Sequence, residues 1–408
     1  MLAIKRALNS WRAVVFFTGS CNLAIYRRRG QMIGLCMIVK NEADVIVKCI
    51  ESARRLIDYV LIVDTGSTDE TQRLIAEYLH EQDIPGEVIE EAWVDFATNR
   101  TSCLRRLRQR TDISYALVLD ADEVIVYDDD FNEAAFKQQL NKDFYHIKIV
   151  LYPTEYFRPQ LLKNNLEFVY RGVLHEFIEA PPRSSSGTIE SGFHIISGRG
   201  GARSRNPRKY EDDARTLEKA LVSETDEFLV SRYTFYLAQS YRDSGNNELA
   251  LKYYIERSRL GYWEEEIFYS TWQSAAMMEQ LGYPDFEVIG MYLKAFEGRP
   301  TRAESLHAAM NFCRRCGLHH QGFLIGKHAV SITIPSSGLF VLPWIYEYGL
   351  LDEFSILAYW SGHFQESLDS CLQILQEGRI PSDQRERIEV NADFSRKKGA
   401  RSHSDLQP

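Results

Sequence analysis

At 408 residues the chain is long for a single core, so two domains are expected. It is 45% hydrophobic and 26% charged with a net charge of -9, an ordinary globular balance that argues against a general nucleic-acid binder. No run approaches the roughly twenty apolar residues of a membrane span. The seven cysteines are scattered and odd in number, which suits free thiols in a reducing compartment. Cys313-Arg-Arg-Cys316 has metal or redox spacing, but it falls in a helical pattern with no second pair, so core thiols are expected there.

Residues 1–31 stand apart. Lys5, Arg6 and Arg12 precede a short apolar run, Ala13 to Phe17, and Arg27-Arg28-Arg29 follow. The run is too short for a signal core, and a disordered extension is expected ahead of a domain beginning at Met32; a surface-anchoring segment is the alternative. From Ile33 strand and helix patterns alternate. Strands are expected at 33–39, 59–63, 86–90 and 115–119, and helices at 42–56, 69–81 and 96–109. Further strands, 146–151 and 167–170, read as antiparallel, and 181–187 as a turn-rich loop. Alternating βα units predict an α/β domain with a mostly parallel sheet and helices on both faces.

After Tyr210 the strand signal nearly vanishes and helical patterns run to about Gly378. In Ala238-x-x-Tyr241-x-x-x-Gly245-x-x-x-x-Ala250-x-x-x-Tyr254, small residues stand where paired helices meet and glycine stands in the turn. This resembles a tetratricopeptide repeat, and weaker copies centre on Ala275/Gly282, Met310/Gly317 and Ser355/Gly362. The expected boundaries are an extension at 1–31, an α/β domain at 32–205, an all-α helical-repeat domain at 210–380 and a polar tail at 381–408, disordered from Ser395 on. Trp263, Tyr269, Trp272 and Trp344 read mostly as core between repeat layers, with binding of a peptide or sugar as the second reading.

Two apolar runs end in acids: Leu61-Ile62-Val63-Asp64 before a Gly/Ser/Thr turn, and Ala116-Leu117-Val118-Leu119-Asp120 before Ala121-Asp122. Open parallel sheets bind ligands at the carboxyl ends of their strands. Two carboxylates one residue apart at such an end suit a hard divalent cation that bridges phosphates.

Read together, Cys36-Met-Ile-Val-Lys-Asn41-Glu42, Asp64-Thr-Gly-Ser-Thr-Asp69-Glu-Thr71, Trp93-Val-Asp95-Phe96-Ala-Thr-Asn99-Arg100, Asp120-Ala-Asp122 and Gly172-Val-Leu-His175-Glu176 resemble the inverting family 2 glycosyltransferases. The resemblance covers roughly residues 32 to 200 and implies the GT-A nucleotide-sugar-binding fold. The repeats fit a subgroup with a tetratricopeptide-like tail. It implies transfer of a hexose from a nucleoside-diphosphate sugar, UDP-linked, to a saccharide, lipid-linked glycan or peptide, with a Mn or Mg ion assisting. On it, Asn41, Glu42, Asp64, Asp69, Arg100 and Asp120 are expected to bind donor, and Asp122 with His175 the metal. Asp69 is equally explained as a helix N-cap. The family's usual acceptor-side Glu-Asp pair is missing here; Glu176 is the first candidate base and Glu155 the second. Arg199, Arg203 and Arg205 lie on a glycine-rich loop that either closes over a diphosphate or is a solvated linker. The expected location is cytoplasmic, with peripheral association at the inner face of the membrane as a further expectation. A non-catalytic repeat scaffold is the competing reading. A nucleotidyltransferase is disfavoured, because the turn after the first strand, Lys40-Asn41-Glu42, is not glycine-rich.

Overall fold

The structure, a computed structural model, describes residues 13–17, 30–152, 154–198 and 200–404. The chain divides into two compact units, Met1–Asp212 and Asp213–Pro408.

The first unit is built on a ten-stranded mixed sheet. Its elements are β1 (Ala13–Phe17), β2 (Ile33–Val39), α1 (Ile46–Ala53), β3 (Tyr59–Asp64), α2 (Thr71–Glu81), β4 (Gly86–Glu90), α3 (Phe96–Leu107), β5 (Tyr115–Val118), β6 (Glu123–Tyr127), α4 (Glu133–Gln139), β7 (Phe144–Leu151), β8 (Thr154–Lys163), β9 (Val169–Arg171), β10 (Phe177–Glu179), β11 (Ser186–Ile189) and β12 (Phe193–Ser197). The order is β1-β4-β3-β2-β5-β8-β7-β12-β6, with β11 beside β7; β9 and β10 form a separate hairpin. Strands β4, β3, β2 and β5 are parallel, so their carboxyl ends share one edge. Beyond β5 the sheet turns antiparallel through β8 and β7.

Both faces of the parallel strands are covered, which is why the strand sequences read as continuous apolar runs. Ile33, Leu35, Met37 and Val39 of β2 pack with Ile46, Cys49 and Ile50 of α1. Cys36, Leu61 and Val63 face the other way, against Cys103, Leu104 and Leu107 of α3. Burying each such aliphatic side chain contributes about 1.5–3 kcal/mol. The expected disordered extension at 1–31 falls mostly outside the described residues; within it, Ala13–Phe17 pairs antiparallel with β4.

The second unit is helical, and among the described residues no strand follows Ser197. Its helices are α5 (Lys209–Leu221, whose first residues belong to the first unit), α6 (Glu227–Asp243), α7 (Asn247–Arg257), α8 (Glu264–Gln280), α9 (Asp285–Gly298), α10 (Glu304–Arg315), α11 (His319–Ala329), α12 (Leu350–Trp360), α13 (Phe364–Glu377) and α14 (Arg385–Ser404). The expected repeat is present. Ala238, Ala250, Ala275, Met310 and Ser355 are buried between helices. Gly245, Gly282, Gly317 and Gly362 each stand in the turn that joins a helix pair, at φ +82°, +71°, +74° and +84°. A side chain there would be strained even though the space is open. The last copy is displaced because the irregular segment 331–344 and a π-turn at Ile345–Gly349 precede α12.

That segment is held by a closed ionic cluster. Arg302 and Glu304 are fully buried and Glu265 nearly so. Arg302 grips Glu304 through Nε and Nη2, each at 2.9 Å, and also pairs with Glu265. Arg302 Nη2 donates to the carbonyl of Leu339 at 3.1 Å, and the Leu339 amide donates to Glu265 at 3.0 Å. Tyr346 donates to Glu304 at 2.7 Å, and Arg299 to Glu265 at 2.9 Å.

Two sequence expectations need correction here. The tail is not disordered from Ser395: α14 runs through Ser404, because Ile388, Ala392 and Ser395 make a buried stripe along it, and Ser395 reaches Ser367 of α13 at 2.8 Å. A stripe that narrow is easily read as polar tail. Of the four singled-out aromatics, Tyr269 is buried and Trp272 packs on the core, whereas Trp263 and Trp344 keep substantial exposure. Cys313 is a buried thiol and Cys316 an exposed one, both free.

Candidate active site at the carboxyl edge of the parallel strands

Because β2 and β3 are in register from Gly34 opposite Tyr59 to Val39 opposite Asp64, their end loops lie side by side. Asp64 is completely buried. Its Oδ1 accepts the amides of Gly66 and Ser67, both at 2.8 Å, a turn made possible by Gly66 at φ +105°. Its Oδ2 is buried and has no hydrogen-bond partner among the described residues. A buried acceptor left open costs about 1–3 kcal/mol, so its retention points to a ligand.

The two loops are knitted together by the other expected donor residues. The Asn41 amide donates to Ser67 Oγ at 2.9 Å, and Asn41 Oδ1 accepts the Thr68 amide at 2.7 Å. The Glu42 amide donates to Thr71 Oγ1 at 2.8 Å, and Ala43 donates to Asp69 at 3.2 Å. Asp69 also accepts from the Thr71 hydroxyl and amide. Slight burial works to raise the Asp69 carboxyl, but these hydrogen bonds outweigh it and hold it below its ordinary value. Asp69 thus braces the loop, and α2 begins two residues later than the sequence suggested.

At the end of β5 five charges alternate: Glu176, Arg100, Asp120, Arg158 and Glu123. Arg100, on α3, donates from Nε to Glu176 at 2.7 Å and from Nη2 to Asp120, and its guanidinium lies over Tyr170, 5.6 Å from the ring centre. Arg158, on β8, bonds Glu123 and stands 3.8 Å from Asp120 Oδ2. The hairpin of β9 and β10 delivers Glu176, and the tight turn after β5 delivers Glu123, whose carboxylate accepts the Asp120 amide at 2.9 Å. Burial pushes the Asp120 carboxyl up, yet Arg100 and Arg158 prevail and hold it below the usual range. Glu123 goes the other way: burial raises it, Asp120 adds to that, and Arg158 opposes.

Asp122 and Glu42 form a second acidic pair. Consecutive amides reach them: Gly201 donates to Asp122 at 3.2 Å, and Ala202 to Glu42 at 3.1 Å. Burial raises both carboxyls, each is raised further by a neighbouring acid, and the amides offset part of it. Asp122 is the acid that raises Glu42, and Asp120 the one that raises Asp122; half-buried carboxylates so placed offer the oxygen ligands a hard cation takes, so the residues present fit a divalent ion. Among the described residues no group of three or more His, Cys, Asp or Glu side chains is arranged to hold a metal.

Three expected residues sit differently from the sequence reading. Arg100 is only 11% exposed and is engaged by Asp120 and Glu176, so it orients carboxylates where a diphosphate contact was expected. Glu155 is not brought to this group: strand alternation turns it away from Tyr156 and Arg158, and it pairs with Lys148 at 2.6 Å. His175 is exposed, at φ 51°, in the hairpin beside Glu176, and is not gathered with Asp122 into a ligand cluster. Arg203 lies over the Phe96 ring at 4.7 Å, Arg205 pairs with Asp44, and Arg199 falls outside the described residues.

Sequence reasoning missed Arg158, Glu123 and Tyr170. The available signal was Tyr156-x-Arg158-x-Gln160, polar at alternate positions just before the buried pair Leu161-Leu162, which marks a strand face aimed at something polar.

Residues 35–197 match the family described as Glycosyl transferase family 2, and the chain carries a domain of that family there. A TPR repeat-containing protein of Synechococcus elongatus is 30% identical over 95 residues, which are 23% of this chain and 21% of that protein's length. A tetratricopeptide repeat protein from Parabacteroides merdae is similar in structure at 15% identity, covering 48% of this chain and 71% of that one, with a TM-score of 0.35. Staphylococcus aureus TarS 1–349 in complex with UDP-GlcNAc is similar at 13% identity, covering 64% of this chain and 84% of that one, with a TM-score of 0.32.

Proposed function

We propose that this family 2 glycosyltransferase domain moves a hexose from a UDP-linked donor to a saccharide, lipid-linked glycan or peptide acceptor, inverting the anomeric centre. The observation that carries this reading is the orphaned Asp64 Oδ2 on the same strand edge as Asp120, Asp122 and Glu42. Asp64 accepts a hydrogen bond from the nucleoside through Oδ2. The braced loops of Asn41 and Asp69 hold that acceptor still. Asp120, fixed by Arg100, orients the sugar. Asp122, with Glu42 beside it, would hold a Mn or Mg ion, which when bound neutralises charge on the departing diphosphate. Glu176, aligned by Arg100, takes the acceptor proton; inversion needs one such base on the face opposite the leaving group. The helical repeats favour a peptide or protein-borne acceptor, since stacked helix pairs present extended binding surfaces. No helix among the described residues is long and apolar enough to cross a membrane. A cytoplasmic enzyme with peripheral membrane association is proposed, to be checked by fractionation in low and high salt.

The deciding experiment screens nucleotide sugars with Mn or Mg for a rise in melting temperature, then for turnover, in the native chain and in Asp64→Asn. A donor that binds only the folded state raises the melting point. UDP-sugars should stabilise the native chain and lose that effect in Asp64→Asn. Stabilisation by no nucleotide sugar would leave the repeat scaffold as the better reading.

A further inference from the structure

Arg158 and Glu123 belong to the alternating chain of five charges, yet neither carries an expected role. Gln160, only 2% exposed, shares the face of β8 that carries Arg158 and reaches Glu123 at 3.4 Å. Glu123 is 1% exposed and is the inner anchor: it takes Arg158 Nη2 on one oxygen and the Asp120 amide on the other. The contacts of Asp120 are asymmetric. Oδ1 is hydrogen-bonded by Arg100, whereas Oδ2 has Arg158 at 3.8 Å, attracted but outside hydrogen-bond range. Asp120 keeps 36% of its side chain exposed. Arg158 also retains capacity: its Nε is buried with no hydrogen-bond partner among the described residues. Two carboxylates therefore compete for one guanidinium, and the buried one holds it.

We infer that Glu123 and Arg158 are a positioning pair, in which Glu123 holds Arg158 back so that Asp120 Oδ2 stays available to a hydroxyl of the nucleotide-sugar donor. The inference rests on the donor reading of this edge. Without the pull of Glu123, Arg158 swings about an ångström and closes on Oδ2 with a charge-assisted hydrogen bond. Asp120 is then saturated by two arginines and loses its ligand bond. Without Arg158 as well, Oδ2 is open again. The device sets donor affinity and leaves the acceptor's proton transfer to other groups.

The test is a double-mutant cycle read as donor KM and kcat, with UDP-glucose and UDP-N-acetylglucosamine plus manganese as probes and melting temperature recorded alongside. Gln at 123 can still accept the Asp120 amide, so Glu123→Gln isolates the charge. It should raise donor KM by about tenfold, the scale of one hydrogen bond to a charged group, with kcat within about threefold. Adding Arg158→Met should return donor KM to within about threefold of the native value, a recovery that a merely structural pair would not give. Should Glu123→Gln fail to fold, Glu123→Asp, whose shorter carboxylate loosens the hold on Arg158, is read in its place, and the inference expects the same rise in donor KM from it. A native donor KM in Glu123→Gln, or a double variant worse than Glu123→Gln, overturns the inference. Asp120→Asn separates the levels: if it binds donor as the native chain does, the donor reading has failed; if it loses donor while Glu123→Gln does not, only the positioning pair has failed.

Discussion

Two clusters of guanidinium and carboxylate groups invite comparison, one in each unit. Around Arg302 every group is engaged: both oxygens of Glu304 and of Glu265 accept, and Arg302 donates through all three nitrogens. Around Asp120 the same chemistry is left incomplete. Arg158 Nε lacks a partner, Asp120 Oδ2 is not hydrogen-bonded by its arginine, and Asp64 Oδ2 on the same edge is orphaned. A cluster that only holds the fold together closes its hydrogen bonds, because open ones in a buried place are costly. A cluster that awaits a ligand keeps some open. The buried charges of the helical unit read as architecture, and those of the sheet edge as a site.

The comparison can be broken most directly at Arg302. Arg302→Met leaves Glu304 and Glu265 as buried charges with fewer partners, and should cost about 3–5 kcal/mol. Denaturant melts of the full chain would show it, and a loss below about 1 kcal/mol would mean the closed cluster is not structural. Asp122→Asn is the counterpart at the open cluster. It should lower metal-dependent donor turnover by about a hundredfold or more while leaving the melting temperature nearly unchanged. Full turnover in that variant would remove Asp122 from the site.

Smaller effects sharpen the contrast. Gly245→Ala forces a side chain into the left-handed region and should cost about 1–2 kcal/mol, read as a lower urea midpoint. Glu353, in α12, supplies a pH test. Burial pushes its carboxyl up, but bonds from Arg314 and Asn311 win and hold it below the ordinary value. A depressed folded pKa contributes stability above the unfolded value of about 4.3, and that stability is lost as pH falls through the folded pKa. Glu353→Gln should therefore be less stable than the native chain by about 1 kcal/mol at pH 7, with the gap narrowing below about pH 4. A gap that widened on acidification would reverse the assignment. The smallest effect belongs to Glu155→Gln, which should leave turnover within about twofold, since surface pairs such as Glu155–Lys148 contribute little.

The parts of the molecule legible in the sequence were those set by local pattern. Apolar runs closing on Asp64 and Asp120 announced parallel strand ends, because a strand buried on both faces has no polar face to interrupt the run. Gly245, Gly282, Gly317 and Gly362 marked helix turns because each turn needs a left-handed residue. What stayed hidden depends on partners far along the chain. Glu123 is in sequence simply the acid next to Asp122, and only the approach of β8 makes it a buried anchor. Arg302 and Glu304 look like a solvated linker between helices until segment 331–344 folds back over them. The engagement of Arg100 by Glu176 is likewise invisible in the sequence, because Glu176 comes from a hairpin 76 residues later.

The order of the sheet has a consequence for how such a chain can change length. Strand β6 pairs with β12, and β5 with β8, so neighbours in the sheet are encoded far apart and the segments between them are committed to bridging a fixed gap. Deleting β7 or β8 there removes a strand from the middle and exposes two new edges. The helical unit is assembled from consecutive pairs, each meeting chiefly its neighbours across a glycine turn, and can gain or lose a pair at those turns while the remainder still stacks. Natural variation in the size of this protein should therefore accumulate on the carboxyl-terminal side of Asp213, as whole helix pairs, while the first unit varies by single residues in its loops.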